Sequence, residues 1–113
     1  MIIVFASIAI AYVALAQYYG DRKAKRQFDL FFNSNLIGTL EYVDVKFHGV
    51  AFKLINDDNE YVFYPYTSLL NDMKIFNHFA NVGDSIFKPI KSDTLVLVKN
   101  HRQYKYNFQK INN

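Results

Sequence analysis

Met1 to Ala16 is an almost unbroken apolar run, Met-Ile-Ile-Val-Phe-Ala-Ser-Ile-Ala-Ile-Ala-Tyr-Val-Ala-Leu-Ala, followed by Gln17-Tyr18-Tyr19 and a basic cluster, Arg22, Lys23, Lys25 and Arg26. A core built by so short a chain could hardly enclose such a run on all sides. As a helix rising about 1.5 Å per residue, residues 1–19 reach about 28 Å, close to the ~30 Å hydrocarbon layer of a bilayer. Ser7 can hydrogen-bond back to a helix carbonyl, and Tyr18 and Tyr19 fall where an interfacial aromatic belt is expected. The expectation is a transmembrane anchor over 1–19. The alternative is a signal peptide cleaved after Ala16, since Ala14-Leu15-Ala16 offers the small-x-small pattern. No Lys or Arg precedes the run and four follow it, which argues against cleavage.

Ala24, Phe28, Phe31 and Phe32 fall at i, i+4, i+7 and i+8, so residues 20–35 read as a basic amphipathic stalk helix ending near Asn33-Ser34-Asn35. Its phenylalanines are expected to pack on the following domain, while Arg22, Lys23, Lys25 and Arg26 contact a membrane surface. The same cations, by the positive-inside rule, favour a cell-membrane protein with its C-terminal domain in the cytoplasm. From Leu36 onward nine Lys and Arg stand against eight Asp and Glu, so that part is nearly neutral and most of the net charge of +3 arises before it. The partner that this charge distribution favours is the lipid bilayer, with a protein partner or a second copy behind it and nucleic acid disfavoured. Absence of Cys rules out a disulfide framework.

Residues 36–113 are long enough for one small domain, and there the hydrophobic period changes to two. Val43, Val45 and Phe47 alternate with Asp44 and Lys46, His48-Gly49 reads as a hairpin turn, and Val50, Phe52 and Leu54 form a second strand. The polar loop Asn56-Asp57-Asp58-Asn59 leads to a third strand, Glu60 to Tyr64, which Pro65 ends. Thr67 or Ser68 is placed to cap a helix whose apolar stripe is Leu69, Leu70, Met73, Phe76, Phe79 and Ala80, closed by Gly83. Asp84 to Lys88, Thr94 to Lys99 and Tyr104 to Gln109 complete a β-β-β-α-β-β-β order. That order points to an OB-like barrel, with an SH3-like barrel or a helix-covered antiparallel sheet as alternatives.

Few residues suggest chemistry. Ser85-Ile86-Phe87-Lys88 has the Ser-x-x-Lys spacing of some acyl-enzymes, but on a strand positions i and i+3 point to opposite faces. His48, His78 and His101 have no Cys or carboxylate at metal-ligand spacing, and Asp57, Asn59 and Glu60 lack the glycine and the last carboxylate of a calcium loop. Lys99, Arg102, Lys105 and Lys110 interleave with Tyr104, Tyr106 and Phe108 like a single-strand-binding ribbon, yet period two puts the aromatics on one face, as in a core strand. No cofactor, metal or catalytic set is expected. Tyr61-Val62-Phe63-Tyr64-Pro65-Tyr66 is apolar on both faces, so something covers the second: the helix or the phenylalanine stalk, or else a partner protein, a second copy or a hydrophobic ligand, for which Tyr61, Phe63, Tyr64 and Tyr66 form the candidate face.

The layout, with Val82-Gly83-Asp84-Ser85-Ile86 entering the second group of strands, resembles small uncharacterised bacterial proteins that carry one N-terminal membrane helix and a short all-β domain. That resemblance implies no activity. The expected role is a membrane-anchored, non-catalytic interaction or assembly module. An exported soluble ligand-binding domain, an OB-type nucleic-acid binder and, last, an enzyme are the alternatives.

Overall fold

The computed structural model describes residues 22–111. Helix α1 (22–32) is followed by β1 (Leu36–Lys46), β2 (Gly49–Leu54), β3 (Glu60–Phe63), a 3-10 turn η1 (Leu69–Asn71), α2 (Phe76–Phe79), β4 (Ser85–Lys88), β5 (Thr94–Lys99) and β6 (Arg102–Asn107). All six strands form one antiparallel sheet in the order β3-β2-β1-β4-β5-β6. The long β1 pairs with β4 through Leu36 to Thr39 and with β2 from Leu40 onward, with a bulge between Leu40 and Tyr42 at the changeover. A bulge bends its strand and increases local twist, so one strand serves two partners and the sheet curls around its core.

This arrangement corrects the OB-like barrel. β3 and β6 remain sheet edges, and the segments just beyond them meet at one isolated bridge, Pro65 to Phe108. There Gln109 N–H donates to Tyr64 O (3.0 Å) and Tyr66 N–H to Asn107 O (2.8 Å). Pro65 and Phe108 form a pair in which neither residue's N–H is needed, so proline is tolerated there.

The expected single-pass architecture and cell-membrane location are corrected as well. Among the described residues no helix is long and apolar enough to cross a membrane. The described part of helix α1, residues 22–32, covers about 16 Å at about 1.5 Å per residue and carries four cations. The anchor expected over 1–19, like the alternative cleavage after Ala16, lies outside the described residues.

Within residues 22–32 helix α1 packs against the sheet. Ala24, Phe28 and Phe31 are buried, and Phe31 lies 4.9 Å from Phe63, 5.0 Å from Phe108 and 5.9 Å from Phe52, centroid to centroid. Arg22, Lys23 and Arg26 are exposed and Lys25 is half-buried; nothing among the described residues places a lipid surface beside them. Gln27 ties the helix to the sheet by donating to Glu60 Oε1 (3.0 Å), while Tyr42 OH and Lys46 Nζ (2.9 Å) donate to Glu60 Oε2. Burial alone would raise the Glu60 carboxyl, but these three hydrogen bonds hold it below the ordinary carboxylate range.

The C-terminal end of α1 is held by Lys88, which period two places on the same face of β4 as Ile86 and which is wholly buried. Its ammonium donates to the carbonyls of Phe32 (3.2 Å), Ser34 (2.9 Å) and Pro89 (2.9 Å) and sits 5.0 Å from the Phe31 ring centre. Burial pushes its pKa down from 10.5 to about 8. A lysine whose folded pKa lies below its unfolded value opposes folding at low pH, and that opposition fades as pH climbs from 8 towards 10.5. Complete relief is worth about 3 kcal/mol. Burial pushes Tyr42, Tyr61 and Tyr106 up to about 12, so their contribution is lost above pH 10, where the unfolded chain ionises first. Stability measured by denaturant titration is therefore expected to rise by about 1 kcal/mol between pH 8 and about 9.5 and then to fall. In Lys88→Met that rise disappears; its persistence there would show that another group causes it.

The expected helix after Ser68 is broken. Ser68 does cap, its Oγ accepting from Leu70 N–H (3.2 Å), but η1 ends at Asp72 and Met73, both left-handed (φ 55° and 58°). Asn71 is the cause: its side chain accepts from Ser68 N–H (2.9 Å) and donates to Tyr66 O (3.0 Å) and Lys105 O (3.0 Å). A short amide side chain that bonds nearby backbone competes with helix propagation. Phe76 and Ala80 reach the core, whereas Leu69, Leu70 and Met73 face outward.

Candidate binding groove

The β1–β2 turn is Phe47-His48, one residue earlier than His48-Gly49, with both residues left-handed (φ 55° and 62°). Asn100-His101 turns β5 into β6 in the same way (φ 51° and 65°). Asn tolerates this conformation; Phe does so at a cost of about 1–2 kcal/mol. Gly49 is thereby placed in β2 opposite Lys46, where a Cβ would lie 2.6 and 2.7 Å from ring carbons of Tyr64 and 2.9 Å from Phe63 O. The absent side chain lets the Tyr64 ring lie flat against the strand, from where its hydroxyl donates to Phe47 O (3.2 Å).

Beside this contact lies a shallow groove of about 310 Å³ lined by Val45, His48, Gly49, Val50, Tyr64, Pro65, Tyr66, Asn77 and Gln109. Val45 and Val50 face one another across the ladder, but Val50 is buried and Val45 is exposed at the rim of the core. None of the nine lining residues is Asp, Glu, Lys or Arg. No side-chain hydrogen bond joins His48, Asn77 or Gln109 to another described residue, so an imidazole and two carboxamides stand at the groove uncommitted to the rest of the fold.

The candidate partner face divides. Tyr61 and Phe63 are core residues, and Tyr61 OH donates to Asp57 Oδ2. Tyr64 is half-buried and Tyr66 is exposed, and these two line the groove. The face of the segment that carries Phe63 is covered by α1 and Phe76; of the residues outside that face Val62 is buried and Tyr66 is left exposed. Val45, His48, Pro65, Asn77 and Gln109 were not anticipated as groove residues. Their convergence depends on the Pro65–Phe108 bridge and the curl of the sheet, for which no local pattern exists.

The remaining chemical candidates do not assemble. Ser85 is exposed and Lys88 buried on β4. Asp84 instead accepts from Asn81 N–H (2.9 Å) and pairs with Lys99 (2.8 Å), closing the turn into that strand. His48, His78 and His101 are all exposed, and among the described residues no group of three or more His, Cys, Asp or Glu is placed to hold a metal ion. Tyr104, Tyr106 and Phe108 are buried, with Lys105 on the opposite, exposed face.

Comparison with known proteins returns no match: no family, no curated protein and no solved structure corresponds to the chain.

Proposed function

We propose that the domain is a non-catalytic interaction module whose groove at Tyr64, Pro65 and Tyr66 takes an extended, uncharged stretch of a partner polypeptide. One observation carries this reading: an aromatic and proline wall is flanked by the unpaired carboxamides of Asn77 and Gln109, with no charged side chain in the lining. A carboxamide both donates and accepts, which matches the N–H and C=O of a peptide unit, while tyrosine and proline faces bury its apolar side chains. Aromatic-lined grooves of this kind favour proline-rich segments, which are already extended and lose little entropy on binding. A nucleic-acid reading has less support, because the groove lacks the cations that phosphates require and the aromatics of β6 are buried.

The test is an NMR titration of the full-length chain with a polyproline peptide at millimolar concentration. Shifts are expected at His48, Gly49, Tyr66, Asn77 and Gln109, and Tyr66→Ala should weaken binding about tenfold. No shift, or shifts confined to other surfaces, would overturn the reading.

A further inference from the structure

Two hairpins of the sheet turn on the same backbone with different residues. β5 turns into β6 on Asn100-His101 (φ 51° and 65°), and β1 into β2 on Phe47-His48 (φ 55° and 62°). A two-residue connection selects this geometry, in which both central residues are left-handed. Asparagine tolerates that conformation, whereas a bulky residue adopts it only where its surroundings hold it there. The chain thus carries the relaxed form of the turn away from the groove and the strained form at its rim, where His48 is part of the lining. Backbone strain of this kind concentrates at ligand clamps and binding sites.

Tyr64 secures the strained turn. Its hydroxyl donates to Phe47 O (3.2 Å), and its own carbonyl accepts from Gln109 N–H (3.0 Å). The residue therefore spans from the segment that carries Gln109 to the turn that carries His48, and both of those residues line the groove. Gly49 makes the span possible. Its backbone is not left-handed, so glycine stands there for space alone: a Cβ would lie 2.6 Å from Tyr64 Cε1 and 2.7 Å from Cδ1. The ring takes the room of the missing side chain and from there reaches the turn. The net worth of one such hydrogen bond is similar in size to the cost of a left-handed phenylalanine, so the bond decides whether the turn stays in place.

We infer that the Tyr64 hydroxyl is a positioning group for the groove, a role that rests on the peptide reading only for the identity of the ligand. It holds the Phe47-His48 turn in the conformation that sets His48 at the rim, so that a partner meets a preformed wall. Without the bond the turn relaxes and His48 leaves the rim for part of the time. The partner then binds only the fraction of molecules in which the wall is complete, and its affinity falls by that fraction. The hydroxyl, spent on Phe47 O, acts through the turn and not on the partner.

Tyr64→Phe keeps the ring on Gly49 and removes only the tether. In NMR relaxation dispersion without ligand, the full-length variant is expected to show microsecond-to-millisecond exchange at Phe47, His48 and Gly49 that the parent lacks. It should bind the polyproline peptide about fivefold more weakly, the range of one net hydrogen bond. Adding Phe47→Asn, which copies the Asn100-His101 turn, should quench the exchange and restore affinity to within about twofold of the parent, because asparagine holds the turn unaided. A hydroxyl that touched the peptide directly, or that merely stabilised the sheet, would not be replaced by that second change. Three results overturn the inference: Tyr64→Phe without exchange at the turn, exchange there with parental affinity, or either defect persisting after Phe47→Asn. A parent that binds no polyproline sinks the peptide reading, and the exchange pattern alone then decides whether the hydroxyl holds the turn.

Discussion

Phe31→Ala is expected to cost about 3–5 kcal/mol, the range for deleting a fully buried aromatic side chain. Phe31 has no exposed surface and is the point where α1 meets both halves of the sheet. Its ring stands edge-on to Phe52 and Phe108 and lies tilted against Phe63, and Lys88 caps it with its ammonium. Removing it leaves a cavity facing β2, β3 and the chain after β6 together, with no neighbour free to collapse into it. The same loss also strips a buried charge of a favourable ring face. A domain of about 90 residues has roughly 5–13 kcal/mol to lose, so the variant should be largely unfolded in moderate denaturant. Guanidinium titration followed by near-ultraviolet circular dichroism measures it. Phe31→Leu should cost less than half as much, and Ile37→Ala, at a position 69% exposed, should stay within about 0.5 kcal/mol of the parent. A Phe31→Ala midpoint close to that of the parent would mean that the sheet is stable without α1.

Asn71→Ala is the second large effect, expected at about 2–4 kcal/mol, because three backbone groups lose their partner at one fully buried position. Tyr66 O and Lys105 O lose a donor and Ser68 N–H loses an acceptor, and the fastening of the 66–75 connection to β6 goes with them. Amide exchange at Asp72, Met73 and Lys74 should quicken far more than in β2 or β5, which distinguishes local release from general weakening. Asn71→Asp is the sharper control: it keeps the acceptor for Ser68 but turns a carboxylate towards two carbonyl oxygens. It should be at least as damaging as alanine, and parental stability in that variant would show that the amide does not organise the turn.

Much of the strand pattern was legible, and each departure has a local cause. Alternation marked the segment of β2, because a half-buried strand imprints its period directly on residue type; the segment of β3 was marked by the polar loop before it and Pro65 after it. The turn at Phe47-His48 was misplaced by one residue because Gly49 looks like a turn glycine, whereas its role is to admit the Tyr64 ring. The stripe from Leu69 to Ala80 has helical spacing, yet the Asn71 side chain interrupts it by bonding a strand remote in sequence. Lys88 reads as a surface residue, and only the carbonyls at the end of α1 make its burial tolerable. The candidate site was half visible: Tyr64 and Tyr66 follow from an apolar segment with nothing local to cover it, while His48, Asn77 and Gln109 carry no pattern at all.

What the sequence determined alone is periodicity: where the chain runs extended, where α1 turns its phenylalanines inward and that the aromatics of β6 form core. Those properties depend on neighbours within a few residues. Which strands become edges, whether the ends beyond them meet, and which apolar side chains stay in water were decided by tertiary structure. They turn on the bulge in β1, the contact at Pro65 and the reach of Asn71 and Lys88, interactions between groups up to 56 residues apart whose geometry exists only once the chain has folded.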